Sequence, residues 1–181
     1  MSVLILRFCP RDAIIGKPKT ISIEASLRCP MIQFRRMNRS DIPALVKMSR
    51  DNMSSIIRSA WGLEWRDEPL LEWLMSKDVD TEVAMYEGDL AGYVSLEVVD
   101  RYLFVTSIQL WKDLQHRGFG TEIMRHVEAK AVDAGYEGVE LVVQMTNEAA
   151  LRFYRHLGYR KVCRRGNNFL MRKTLIETGK V

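Results

Sequence analysis

Between Ile108 and Thr121 the chain reads Ile-Gln-Leu-Trp-Lys-Asp-Leu-Gln-His-Arg-Gly-Phe-Gly-Thr. An apolar run ends at Leu110, a short polar turn follows, and a helical pattern starts near Gly118. The first turn of a helix presents backbone N–H groups with no intrahelical acceptor, and the helix dipole adds partial positive charge there. Gly118 and Gly120 carry no side chain to hold a bulky anion off the backbone, and Arg117 adds a full positive charge. Together these features read either as a cradle for a pyrophosphate-sized anion or as an ordinary loop with two glycines. Two other phosphate-binding patterns do not fit. The Gly-Lys-Ser/Thr ending of a phosphate-binding loop is absent. The third glycine of the dinucleotide fingerprint is Ile123 here, and seven residues separate Leu110 from Gly118.

A second stretch, Asn147 to Tyr159, follows the next strand. Asn147 is suited to cap a helix in which Ala150, Phe153, Tyr154 and Leu157 share a face, and Gly158 to stop it. On its own Tyr154 reads as a core aromatic of that face. The turn Gln115-x-x-Gly118-x-Gly120 and the run Asn147…Ala150…Phe153-Tyr154…Gly158-Tyr159, in this order and spacing, resemble the GNAT superfamily of acyl-CoA-dependent N-acetyltransferases. The resemblance is specific from Ile108 to Tyr159. In element order it extends roughly from Ile32 to Leu175, and it is weak before Leu90.

That resemblance implies roles. Main-chain groups of Ile108 and Leu110 are expected to hold the acyl carbonyl and the pantetheine arm of acetyl-CoA. Gln115, His116, Arg117, Gly118, Phe119 and Gly120 are expected to wrap the pyrophosphate, with Thr121 adding a hydroxyl. Asn147 is expected to hydrogen-bond the pantetheine or to cap its helix, and Tyr154 to protonate the departing thiolate. The implied reaction moves an acetyl group to a primary amine by direct attack in a ternary complex. The alternative is a non-catalytic acyl-CoA-binding module of the same fold. An amine with a pKa near ~10 must lose its proton before it attacks, and a tyrosine with a pKa of about 10 holds its proton at pH 7. The general base is unassigned: the superfamily's two glutamate positions align with Phe104 and Val142, neither of which accepts a proton. Glu97 and Glu140 are the nearest carboxylates on candidate strands, and a water chain is the other route. The acceptor is expected between the first two helices, where Trp61, Glu64, Trp65 and Trp73 either line an amine pocket or seal the second helix onto the sheet.

These residues need a scaffold, and periodicity supplies one. Met31 to Met37 reads as a first strand. Ser40 caps a helix with Ile42, Leu45, Val46, Ser49, Met53, Ile56 and Ile57 at three-to-four spacing. A second helix covers Leu70 to Met75. Strands at Thr81 to Tyr86, Leu90 to Val98 and Tyr102 to Leu110 form a meander, with Glu87-Gly88-Asp89 as a hairpin turn. A helix with Phe119, Ile123, Val127 and Ala131 in one stripe follows, then a strand at Val139 to Val143, the Asn147 helix, and two strands at Arg160 to Arg164 and Phe169 to Leu175. The expected class is α+β, a mostly antiparallel central sheet flanked by helices.

Composition narrows the class further. The chain has 181 residues, 47% apolar and 28% charged, with a net charge of +4. That excludes disordered, collagen-like and low-complexity proteins. No apolar run reaches the ~18 residues of a membrane span. Residues 1–30 hold five Lys/Arg against two acids, and Pro10, Gly16, Pro18 and Pro30 punctuate them. They are expected to be an extension, disordered or from an upstream start, ahead of a domain over 31–181 that begins at Met31. Without that basic tail the charge is nearly balanced, so nucleic acid is not an expected partner. Cys9, Cys29 and Cys163 form no disulfide framework, and His116, His126 and His156 show no metal-ligand spacing. A cytoplasmic, metal-free protein is expected, with acetyl-CoA and an amine as its partners.

Overall fold

The computed structural model describes residues 31–176, so what the sequence leads one to expect of residues 1–30 lies outside the described residues. Alternation and helical spacing place the elements. Strand β1 (Gln33–Arg36) leads to helix α1 (Ile42–Trp61), which buries Leu45, Met48, Ser49, Asn52, Met53 and Ile56 along one stripe. Gly62, in the left-handed region at φ 66°, ends it by donating its N–H to the Arg58 carbonyl. The cap residue is Asp41, one position after Ser40. Its carboxylate accepts the Asn38 N–H at 2.8 Å and both ends of the Arg35 guanidinium at 2.7 and 2.9 Å. Ser40 instead turns its hydroxyl to the Asn38 side chain. With its carboxylate committed to Arg35 and Asn38, Asp41 makes no side-chain capping bond to α1.

Helix α2 (Glu68–Leu74) is followed by the meander β2 (Asp80–Tyr86), β3 (Asp89–Val99) and β4 (Tyr102–Leu110). A single 3₁₀ turn, Lys112–Leu114, leads into helix α3 (Phe119–Asp133). Then come β5 (Gly138–Gln144), α4 (Glu148–His156), β6 (Arg160–Arg165) and β7 (Asn168–Thr174). The seven strands make one sheet in the order β1-β2-β3-β4-β5-β7-β6. Every pairing is antiparallel except β4 with β5. Strand β6 closes one edge, and all six of its residues are exposed.

Successive residues of the central strands go to opposite faces. Val83 and Tyr93 pack with Leu45, Met48 and Leu74 beneath α1 and α2. Ala84, Val94, Ile108 and Leu110 pack with Ile123, Val127 and Tyr154 beneath α3 and α4. The result is a three-layer α+β domain. Among the described residues no helix is long and apolar enough to cross a membrane.

Candidate functional site

The site begins where β4 parts from β5. Their parallel register runs only from Tyr102 and Gly138 to Val105 and Leu141. At the same level the β3–β4 register slips: Ser95 faces Ser107 and Leu96 faces Val105, so Thr106 is an unopposed bulge residue. Thr106 is tied down by its hydroxyl, which donates to the Ser95 carbonyl at 2.9 Å and accepts from Trp73 Nε1 at 3.4 Å. Beyond the bulge, the Trp111 N–H donates to the Ala91 carbonyl at 3.1 Å. In an antiparallel ladder alternate residues bond to the partner strand and the others face away. The register therefore turns the main-chain groups of Ile108 and Leu110 away from β3, into the gap between β4 and β5. Close approach of β3 supports this end of β4: a Cβ on Gly92 would lie 2.4 Å from the Gln109 carbonyl oxygen.

The cradle turn follows directly. Trp111 Nε1 donates to the Leu90 carbonyl at 2.8 Å and anchors its start. His116 and Gly118 both take positive φ, 63° and 88°. A Cβ on Gly118 would meet nothing within 4 Å, so glycine is required there for its backbone angle rather than for room. The first helical bond of α3 runs from the Glu122 N–H to the Gly118 carbonyl. The N–H groups of Phe119, Gly120 and Thr121 thus have no acceptor within the helix. Phe119 and Gly120 are buried, Thr121 is half-buried, and His116 and Arg117 are exposed. The Arg117 guanidinium lies 5.7 Å from the Phe119 ring centre, and Tyr86 meets that ring edge-on at 4.9 Å. Gln115 turns its side chain inward: its Nε2 lies 3.3 Å from the Leu110 carbonyl oxygen and 3.5 Å from Asn52 Oδ1.

Asn147 caps α4, its Oδ1 accepting the Ala150 N–H at 3.1 Å. Tyr154 is fully buried among the apolar residues beneath α3 and α4, edge-on to Phe153 at 5.1 Å and to Tyr159 at 5.5 Å. Its hydroxyl has no hydrogen-bond partner among the described residues. Burial pushes that hydroxyl well above its ordinary pKa, so it keeps its proton. An unpaired buried hydroxyl costs about 1–3 kcal/mol, and it suits a ligand atom that accepts its hydrogen bond.

The two carboxylates differ sharply. Glu140 on β5 is buried and held by Arg172 of β7, with Nε at 2.7 Å and Nη2 at 2.5 Å from the same oxygen. Glu97 lies on β3 directly opposite Phe104, half-buried, and burial together with the nearby Asp78 carboxylate raises its pKa. The tryptophans divide as well. Trp61 and Trp65 pack on Met53 and Ile56 of α1, and Trp65 Nε1 donates to Asp67 at 2.6 Å. Trp73 reaches the β4 bulge. Glu64 is exposed and paired with Arg58 at 2.7 Å.

Sequence reasoning passed over Asn52, which is 3% exposed in the buried stripe of α1. Its Nδ2 donates to the Leu110 carbonyl at 2.9 Å and to Gln109 Oε1 at 3.0 Å. It also passed over the hydroxyls of Ser49 and Ser107, which lie 2.6 and 3.1 Å from that of the buried Tyr93. A polar residue in an apolar helical stripe was the available signal.

Residues 50–159 match the family described as Acetyltransferase (GNAT) family. An uncharacterized N-acetyltransferase in the pepI 3′ region of Lactobacillus delbrueckii subsp. lactis is 22% identical over 174 residues, covering 80% of this chain and 98% of the relative. Among solved structures, the PaiA N-acetyltransferase of Thermoplasma acidophilum in complex with coenzyme A superposes with a TM-score of 0.62 at 19% identity, covering 80% of this chain and 99% of that one. The ribosomal-protein-S18-alanine N-acetyltransferase of Escherichia coli gives a TM-score of 0.66 at 18% identity, over 83% and 97% of the two chains.

Proposed function

Because the chain belongs to the GNAT acetyltransferase family, we propose that it transfers the acetyl group of acetyl-CoA to a primary amine by direct attack in a ternary complex. The observation that carries this reading is the direct succession of unpaired main-chain groups along the chain. The edge of β4 that faces away from β3 beyond Thr106 runs through the Gln115–Gly118 turn into the unpaired N–H groups of α3. A pyrophosphate fits the α3 start, and the orphaned hydroxyl of Tyr154 fits a thiolate as it departs. Gln115 to Gly120, with Thr121, hold the phosphates through main-chain donors and the exposed charge of Arg117. Asn147 sets the start of α4 and so the place of Tyr154. Acetyl-CoA supplies an activated acyl group with a thiol leaving group.

The chain's own residues do the rest. The N–H groups of Ile108 and Leu110 hold the acyl oxygen as negative charge grows on it. Tyr154, protonated at all working pH values, gives its proton to the leaving sulfur. Glu97 is the better of the two carboxylates for accepting the amine proton, since Glu140 is committed to Arg172 and the raised pKa of Glu97 brings it nearer neutrality. The acetyltransferase domain is residues 31–181, with residues 1–30 an extension, and the setting is the cytoplasm.

A second reading, an acyl-CoA-binding module without turnover, is favoured by one observation: neither Phe104 nor Val142 carries a carboxylate. Release of CoA from acetyl-CoA across a panel of amines (polyamines, lysine peptides, free N-termini, small metabolites) tests both. Amine-dependent release supports the enzyme. Tight acetyl-CoA binding with no release from any amine supports the module.

A further inference from the structure

We propose that Asn52 is a positioning residue that fixes the Leu110 peptide so that its N–H meets the acyl oxygen, an inference that rests on the acetyl-CoA reading. Once β4 leaves β5, the Leu110 carbonyl has no strand to receive it. A main-chain carbonyl in the interior needs a donor. Asn52 supplies it from α1, across the face of the sheet, at 2.9 Å. The second hydrogen of the same amide nitrogen goes to Gln109 Oε1 at 3.0 Å, and Gln115 Nε2 backs the carbonyl at 3.3 Å. The Leu110 oxygen is an acceptor under any assignment, which decides which end of the Asn52 amide faces it.

In a strand, the N–H and C=O of one residue point to the same edge. Holding the Leu110 carbonyl therefore also aims the Leu110 N–H, the donor on which the acyl oxygen depends. Asn52 belongs to a helix of 20 residues, packed against the sheet through Leu45 and Met48, so the hold is rigid. Asn52 itself touches no reacting atom in this scheme. It acts through the Leu110 peptide, and a displacement of that donor by even ~1 Å costs catalysis heavily.

The test compares two ligands that differ only at the acyl oxygen: acetyl-CoA and S-ethyl-CoA, a thioether with no carbonyl. Calorimetric titration of the full chain gives both affinities without any need for an acceptor. Wild type is expected to prefer acetyl-CoA by roughly 2–10-fold, the net worth of one hydrogen bond. Asn52→Ala is expected to bring the ratio to about 1 while S-ethyl-CoA binds within about twofold of wild type. Asn52→Asp places a carboxylate against the Leu110 oxygen. Its ratio is expected to fall to about 1 as well, because a carboxylate accepts and cannot hold the Leu110 carbonyl. If Asn52→Ala does not fold, the Asn52→Asp ratio carries the test alone. A ratio unchanged in the variants overturns the inference, and so does an equal loss of affinity for both ligands, which marks a merely structural residue. A wild type that binds both ligands equally overturns it too. A wild type that binds neither overturns the acetyl-CoA reading itself.

Discussion

Replacing Tyr154 by phenylalanine sets stability and turnover moving in opposite directions. The ring is fully buried against Phe153 and Tyr159, and phenylalanine keeps that packing. The hydroxyl has no hydrogen-bond partner among the described residues, so the free protein bears its desolvation with nothing in return. Removing it is expected to stabilise the free protein by about 1–3 kcal/mol. For a chain of this size each kcal/mol raises Tm by about 2–4 °C. Turnover is expected to fall about 10²–10⁴-fold, the usual worth of a general acid, while acetyl-CoA affinity stays near wild type. The assay pairs calorimetric melting with single-turnover CoA release, using an amine that the wild type accepts. The defect is expected to shrink with an acyl donor whose thiol leaves more readily, since that sulfur needs less help from a proton. Wild-type turnover in a stabilised variant would refute the acid role. A lower Tm would refute the reading of the hydroxyl as an orphan.

Gly120→Val, at a buried position in the first turn of α3, is expected to weaken acetyl-CoA binding by about tenfold or more, roughly 1.4 kcal/mol per tenfold, as read by calorimetry. Glu97→Gln is expected to slow turnover by about 10²-fold with Tm nearly unchanged. Glu140→Gln is expected to lower stability by about 1–3 kcal/mol, because it strips Arg172 of its partner. The Glu82 carboxylate, facing His126 and Lys130, is held down to about 2. It therefore stabilises the fold above its ordinary pKa of 4.5, and that contribution is lost as pH falls toward 2. Melting temperatures of Glu82→Gln are expected to depend less on pH across that window than those of wild type. A chain starting at Met31 is expected to melt cooperatively within a few degrees of full length, and a large drop would assign residues 1–30 to the core.

The elements were legible because each carries its own period. The apolar stripe of α3 and the alternation through β2 and β3 are local facts, and their order sufficed for the architecture. The turn ahead of α3 was legible too, since a strand end, a glycine-bearing turn and a helix start are adjacent in sequence. What escaped was set by register. Tyr102 to Leu110 and Gly138 to Gln144 are both mostly apolar strand segments broken by a few polar residues, and nothing in either says that their pairing stops at Val105 and Leu141. The commitment of Glu140 is not legible locally because its partner Arg172 lies 32 residues away and faces it only once β7 pairs with β5. Asn52 and Gln109 are 57 residues apart and become neighbours only when α1 lies down on the sheet.

Strand β6 has a consequence for how the molecule keeps company. It is an outer strand of the sheet, and an open strand edge is a template on which another chain can add. Four of its six residues are cations, Arg160, Lys161, Arg164 and Arg165, and all are exposed. Two copies brought edge to edge through β6 would set eight like charges along one seam. The edge thus guards itself by repulsion, and the guard weakens as ionic strength rises and the Debye length shrinks from ~10 Å at 0.1 M to ~3 Å at 1 M. Concentrated salt, harmless to the apolar layers on either side of the sheet, lowers the charge barrier along this strand.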